Sequence, residues 1–270
     1  MSNKIIAELQ NVTMRFGGIT AISDISFKVP RGVIFALIGP NGAGKSTIFN
    51  CINGIYKPTE GRITFDGESI TALKPFKIAR KGIARTFQNL ALFRNMSVLD
   101  NLLLGRNLFL KAGIIPGGLF YGKALREELE NRRIVEEIID FLEMEDVRKK
   151  LVGSLPFGIQ RRVELGRALA MKPELLLLDE PVSGMNAEET EDMVRFILDA
   201  NEEFGTTILL VEHDMGVVMD ISDYLLVVNF GEKIAEGPPQ EVAQNPKVVE
   251  AYLGQESEVT PTVSVEDRHA

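Results

Sequence analysis

"GPNGAGKST", Gly39 to Thr47, stands between the apolar run "GVIFALI" and the segment "KSTIFNCIN". It matches the pattern G-x-x-x-x-G-K-[ST] in the setting that the pattern requires, a buried strand before it and a helix after it. The chemistry of phosphate explains the residue types. Gly42 and Gly44 permit backbone angles that turn the successive N–H groups of Asn41, Gly42, Ala43 and Gly44 toward one anion, a concave nest. The N-terminus of the following helix adds partial positive charge. Lys45 is suited to neutralise β- and γ-phosphates, the Ser46 hydroxyl to ligate Mg²⁺, and Thr47 to reach another phosphate oxygen. An ordinary glycine-rich turn is the alternative, and the strand-and-helix setting weighs against it.

Working outward, "GVIFALIG" is continuously apolar, the mark of a strand covered on both faces. Ile5 to Phe16 and "ISFKV", ending at Pro30, read as further strands, and "GRITFDGESI" as a hairpin with an Asp-Gly turn. From about Met96 to Val152 the pattern becomes helical, notably "REELENRRIVEEIIDFLEM", with "GIIPGG" as a loop inside the region. Strand signals return at "LLLLDEP" and "TTILLVEH", followed by a hairpin at "YLLVVNFGEKIAEG" and short helices to Leu253. The expected fold class is α/β. A phosphate-loop core with an antiparallel β subdomain occupies 1–95 and 155–254, and a helical subdomain is inserted at 96–154. A helix at 155–171 follows the insertion, and the polar, aperiodic tail 255–270 is expected to be disordered.

The chain has 270 residues, a net charge of −8 and one cysteine, Cys51. The acidic balance argues against a dedicated nucleic-acid binder, although the patch "KPFKIARKG" could still serve a small anion. A lone cysteine excludes an intrachain disulfide and suggests a reducing compartment. "MSNKIIAELQ" lacks the apolar core of a signal peptide, and no run of about eighteen apolar residues offers a membrane span. The expectation is a soluble or peripheral cytosolic chain.

Five further residues can join the phosphate loop. "LLLLDEP" ends a buried strand with two acids facing a crevice. There Asp179 would hold a magnesium shell and Glu180 would take a proton from attacking water. Either acid alone is as consistent with a helix cap or a solvated end. His213, closing "LLVEH", could donate to a γ-phosphate while orienting water, or be a rim histidine beside Asp214. Gln88, in "RTFQNLALF", could complete a magnesium shell or position water, or be an exposed turn residue. Phe16 could stack on a flat base or belong to the core.

The ordered set Phe16, "GPNGAGKST", Gln88, "LPFGIQ", "LLLLDEP", "SGMN" and His213 resembles the nucleotide-binding subunit of ATP-binding cassette (ABC) transporters, over nearly the whole chain to Leu253. A finer resemblance is to the branched-chain amino-acid import family, carried by "RTFQNLALFRNMSVLDNLL", "RRVELGRALA", "PVSGMN" and "NFGEKIAEGPPQEVAQNPKVVEAYLG". The resemblance implies an ABC-type cassette that binds ATP with Mg²⁺ and hydrolyses it. It also implies a second cassette docked head to tail, identical or not, two membrane-spanning permease subunits, and a periplasmic or extracellular substrate-binding protein. The place would be the cytoplasmic face of the cell membrane. Urea or amide import, lipopolysaccharide export and a soluble non-transport cassette ATPase are the rival readings.

The signature L-S-G-G-Q of that superfamily aligns with Leu155, Pro156, Phe157, Gly158 and Ile159. Gly158 still allows close approach to a partner's nucleotide. Pro156 removes the serine hydroxyl and an N–H. Losing one charge-assisted hydrogen bond costs about 1.5–3 kcal/mol, roughly ten- to a hundredfold. Ile159 departs further, so the expectation is asymmetric, with a competent phosphate loop and a weaker signature side. Asn186 stands where aspartate is common and suits a helix cap before "AEETEDM". Leu92 and Phe93, in the loop after Gln88, are the expected contact with a membrane subunit.

Overall fold

The computed structural model describes residues 4–88, 90–109 and 123–256. The loop "GIIPGG" and all of the expected disordered tail beyond residue 256 lie outside the described residues.

Two sheets organise the chain. The first is antiparallel, built from β1 (Ile5–Phe16), β2 (Ile19–Pro30), β4 (Glu60–Phe65) and β5 (Glu68–Ser69) in the order β2-β1-β4-β5. The second runs β10-β9-β3-β8-β7-β6 and comprises β3 (Ile34–Ile38), β6 (Ile83–Arg85), β7 (Leu175–Asp179), β8 (Thr207–Val211), β9 (Tyr224–Asn229) and β10 (Glu232–Gly237). Its central strands are parallel, and only β10 runs antiparallel to its neighbour β9.

The helices are α1 (Lys45–Ile52), α2 (Pro75–Arg80), α3 (Val98–Arg106), α4 (Lys123–Phe141), α5 (Phe157–Leu169), α6 (Ala187–Phe204), α7 (Met215–Ile221), α8 (Pro239–Ala243) and α9 (Pro246–Glu256). The strand β3 explains why the run just before Gly39 is apolar without alternation. Ile34, Ala36 and Ile38 face one core, shared with Leu176, Leu178, Ile208 and Leu210 and with the helices α3 to α7. Phe35 and Leu37 face the other, shared with Leu175, Leu177, Leu209 and Val211, with α1 and with the antiparallel sheet. Both faces of the strand are therefore covered. Burying each such Leu, Ile or Phe side chain stabilises the fold by about 1.5–3 kcal/mol.

Two local readings change. The strand β2 begins at Ile19, six residues before "ISFKV", because Phe16 pairs with Ile19 across a tight turn and the ladder runs on to Pro30. Cross-strand pairing overrides the weak alternation of "ITAISD". The basic stretch "KPFKIARKG" forms the short helix α2, entered by a proline at its first turn. Within it Arg80 donates to the Leu108 carbonyl, and just past it Lys81 pairs with Glu68, so these cations are spent within the chain.

In such a sheet the ligand crevice lies outside the carboxyl ends of the parallel strands, where the connections diverge. Here β3 is flanked by β8 and β9, neither of them its neighbour in sequence. Its carboxyl end delivers the chain directly into Gly39.

Candidate functional site

At that end a cleft of about 470 Å³ opens. The stretch from Asn41 to Thr47 lines it, together with Gln88, Glu180, Ile19, Thr20, Ala21 and Phe230. A larger cleft, about 890 Å³, lies by α4 and holds both acids and bases around Phe141 and Phe204. None of the phosphate-loop residues lines it, so chemistry rather than size selects the smaller cleft.

The loop folds as its glycines dictate. Gly44 takes φ +104°, and a Cβ there would stand 2.6 Å from Ile22 Cγ2 and 2.8 Å from the Ala21 carbonyl. Only glycine fits, and α1 starts at the next residue. Lys45 is 9% exposed. Its ammonium donates to the carbonyls of Gly39 and, at 2.9 Å, Pro40. Burial pushes its pKa below the ordinary lysine value, while Glu180 and Asp179 pull it back up. A cation held this way is pre-positioned for an anion, which compensates its burial better than carbonyl dipoles do.

The two acids behave differently although they are adjacent. Asp179 is buried at the end of β7, where its Oδ2 accepts from Arg85 Nη2 at 2.7 Å. The same guanidinium donates to Asn50 Oδ1 at 2.6 Å and lies over the rings of Phe49 and Phe87 at 5.4 and 5.2 Å. Glu180 instead turns out of the strand. Its φ is +50°, a left-handed conformation that costs a non-glycine residue on the order of 1–3 kcal/mol. Its N–H donates to the Val211 carbonyl at 2.8 Å, and its Oε2 accepts from Gln88 Nε2 at 2.9 Å. The strained turn thus aims one carboxylate into the cleft while its neighbour stays behind in the core.

Gln88, Lys45, Glu180 and the phosphate loop are brought together. Phe16, Asp179, His213 and Gly158 are not among the cleft-lining residues. Phe16 closes β1 at 42% exposure, with its ring edge-on to Tyr56 at 5.0 Å. His213 follows β8 with its side chain 62% exposed and Nδ1 at 3.8 Å from Glu212 Oε2. Glu212 itself is buried and accepts from the N–H groups of Val182, His213 and Asp214. Burial nevertheless pushes its carboxyl above the ordinary range.

Gly158 lies in the first turn of α5. A Cβ there would stand 2.4 Å from Glu189 Oε1. That carboxylate belongs to a capping box: Asn186 Oδ1 accepts from Glu189 N–H, and Glu189 accepts from Asn186 N–H. The apolar departures around Gly158 also have intrachain partners. Ile159 packs against the core below α5, and the Phe157 ring lies over the Arg161 guanidinium at 5.2 Å.

Sequence reasoning missed Arg85, Asn50, Glu212 and Phe230. The first was signalled by a cation ending the apolar strand "GIAR". Phe230, 90% exposed with φ +46°, left no local signal that it lines the cleft. A magnesium ion suits the donor types at the cleft, since Ser46 and Gln88 line it and offer hard oxygens, with the Asp179 carboxylate behind them in the core and held by Arg85. Among the described residues no group of three or more His, Cys, Asp or Glu is assembled to hold a metal. An ion here would therefore share its coordination with phosphate and water, as Mg²⁺ usually does.

Comparison with known proteins agrees with this chemistry. The family described as ABC transporter matches residues 22–183. The family described as branched-chain amino acid ATP-binding cassette transporter matches residues 232–258. The high-affinity branched-chain amino acid transport ATP-binding protein BraF of Pseudomonas aeruginosa is 42% identical, over 93% of this chain and 98% of its own. A nucleotide-free ATP-binding cassette from an ABC transporter is 34% identical, with a TM-score of 0.80 over 92% of this chain and 98% of that one. A dimeric bacterial ABC transporter cassette is 26% identical, with a TM-score of 0.73 over 87% of this chain and 99% of that one.

Proposed function

The chain belongs to the ABC transporter family as an ATP-hydrolysing subunit, and from that premise we propose that it energises the import of branched-chain or related amino acids. The cargo reading rests on the match of residues 232–258 and on the name of the 42% identical relative. The catalytic reading rests on one observation, the convergence of Lys45, Gln88 and Glu180 on the phosphate loop in a single cleft.

In this reading the amides of Asn41 to Gly44, with Lys45 and Thr47, grip the phosphates of ATP. Glu180 takes the proton of the attacking water, and Gln88 holds that carboxylate in place. His213 donates to the γ-phosphate once it swings from its exposed position, and Phe16 stacks on the base. Ser46, Gln88 and Asp179 are the oxygen donors for Mg²⁺, which when bound spreads the negative charge of the β- and γ-phosphates. Gly158 faces the nucleotide of a second cassette, and Ile159, packed inward, leaves that face short of a polar group. The weaker signature side is proposed on this point.

The division into a core at 1–95 and 155–254 and a helical subdomain at 96–154 is part of the same proposal. Among the described residues no helix is long and apolar enough to cross a membrane. Two separate permease subunits, met through Leu92 and Phe93, would hold the cassette at the cytoplasmic face and receive cargo from a substrate-binding protein. Phe93 is 56% exposed. Purification from native membranes in mild detergent tests the assignment: it should bring down two membrane-spanning chains and a cassette, and vesicles containing them should take up labelled leucine on ATP addition. ATPase recovered without membrane chains would support the non-transport reading instead.

A further inference from the structure

The loop that carries Gln88 does not hold itself. Its backbone hangs from three charged side chains on the inner face of α5. Glu164 Oε1 accepts from the Phe87 N–H at 3.2 Å. Arg161 Nη2 donates to the Gln88 carbonyl at 3.1 Å and Nη1 to the Phe87 carbonyl at 3.4 Å. Arg167 donates to the Ala91 carbonyl. Arg161 and Glu164 pair with each other at 3.3 Å, with side chains only 7% and 2% exposed. Arg161 reaches a second loop as well, donating to the Ser183 carbonyl at 3.4 Å beside the acid strand.

Such a pair is poorly explained as a source of stability. Two buried charges are often no better than well-packed apolar residues of similar volume. Here burial also pushes the Glu164 carboxyl up, against the pull of Phe87, Arg161 and Arg167. What the pair does provide is a set of donors and acceptors for a stretch of backbone whose described residues form no ladder of their own. The far end of the stretch is pinned too. The buried Asn101 accepts from the Phe93 N–H and donates to the Phe93 carbonyl, each at 3.0 Å.

We propose that Arg161 and Glu164 are positioning residues for ATP hydrolysis. They set the place of Gln88, and through it of the Glu180 carboxylate, according to where α5 sits. The geometry favours a switch over a rigid strut. Several of the hydrogen bonds lie at 3.1–3.4 Å, near the long end of the usual range, so a displacement of α5 by about 1 Å would break them. The N-terminal turn of that helix carries Gly158 and the loop beyond Gln88 carries Phe93. A second cassette at one and a membrane subunit at the other would therefore act on the same carboxylate. This rests on the reading given under Proposed function.

The test uses the full chain co-purified with its partner subunits. Arg161→Met/Glu164→Leu removes both charges and is compared with Arg161→Lys, which keeps the positive charge on a single donor nitrogen. Thermal midpoint, affinity for a fluorescent ATP analogue, kcat, and hydrogen exchange of the 87–93 amides are read together. The expected result for the double variant is a kcat at least about tenfold lower, the loss of one charged hydrogen bond or more, with analogue affinity within about twofold. Its 87–93 amides should exchange faster, and Arg161→Lys should recover part of kcat. Unchanged kcat and exchange, or a kcat that falls only in step with analogue affinity and midpoint, would overturn the proposal. Should the double variant not fold, Arg161→Lys and Glu164→Gln are read for the same split, and its absence in both overturns the proposal equally. A parent chain that fails to bind the analogue at all would instead sink the nucleotide reading and not this one.

Discussion

Replacing Arg85 by methionine isolates the buried pair behind the phosphate loop. The Arg85 and Asp179 side chains are 7% and 5% exposed and meet at 2.7 Å. Methionine keeps the length and apolar packing of the stem but leaves the carboxylate unpaired. Breaking a buried pair from one side costs about 3–5 kcal/mol. The guanidinium's attraction to the faces of Phe49 and Phe87 adds about 0.5–1 kcal/mol per ring. A chain of 270 residues has an unfolding entropy near 0.57 kcal/mol/K, at about 2.1 cal/mol/K per residue. The pair alone then corresponds to a fall in Tm of roughly 5–9 °C. Circular dichroism melts of Arg85→Met, Asp179→Leu and the double variant measure it. Each single variant should melt well below the parent. The double variant should recover most of the loss, since no charge is left stranded. A single variant within about 1 °C of the parent, or a double variant as unstable as the sum of the singles, would refute the claim that burial of an unpaired charge dominates.

Two other outcomes follow from the same geometry. Burial holds the Glu212 carboxyl above its ordinary 4.5. Between that value and the raised folded one, folding takes up a proton, so stability rises as pH falls through this window. The full cost of burying the ion is present only above it. Relative to Glu212→Gln, the parent chain should therefore gain stability in urea unfolding as pH is lowered toward 4.5, and a pH-independent gap would count against a buried, ionising Glu212. At Gly158, alanine favours the helix by about 1 kcal/mol, but its Cβ meets the Glu189 carboxylate of a cap that contributes about 0.5–2 kcal/mol. Gly158→Ala should be neutral or destabilising in the parent and stabilising in a Glu189→Ala background, again by urea unfolding. The same sign in both backgrounds would mean that Glu189 is not what holds the position to glycine.

Much of the fold was legible because its signals are local. The run from Val33 to Ile38, the Gly39–Thr47 turn and the four leucines before Asp179 each carry their own reason for being strand or loop. The early start of β2 was not legible, since it depends on which strand lies beside it. The site divides along the same line. Lys45 and Glu180 announce themselves through strand ends and glycine spacing. The hold of Arg85 on Asp179, and of Arg161 and Glu164 on the loop at Gln88, joins residues about seventy to ninety-five positions apart in the chain. Nothing in the local pattern shows such a pairing until the sheet brings the elements together. Ile159 shows the same limit: the sequence reads it as a polar group missing toward a partner, and only the fold adds that it packs against the core of its own chain.

Titration of the Lys45→Ala chain with a fluorescent nucleotide tests the central claim most directly. The ammonium lies buried at the head of α1 among the loop carbonyls. A charge-assisted hydrogen bond to phosphate is worth about 1.5–3 kcal/mol, so Kd should rise roughly ten- to a hundredfold with the fold intact. An affinity equal to that of the parent chain would mean that phosphate is not gripped there.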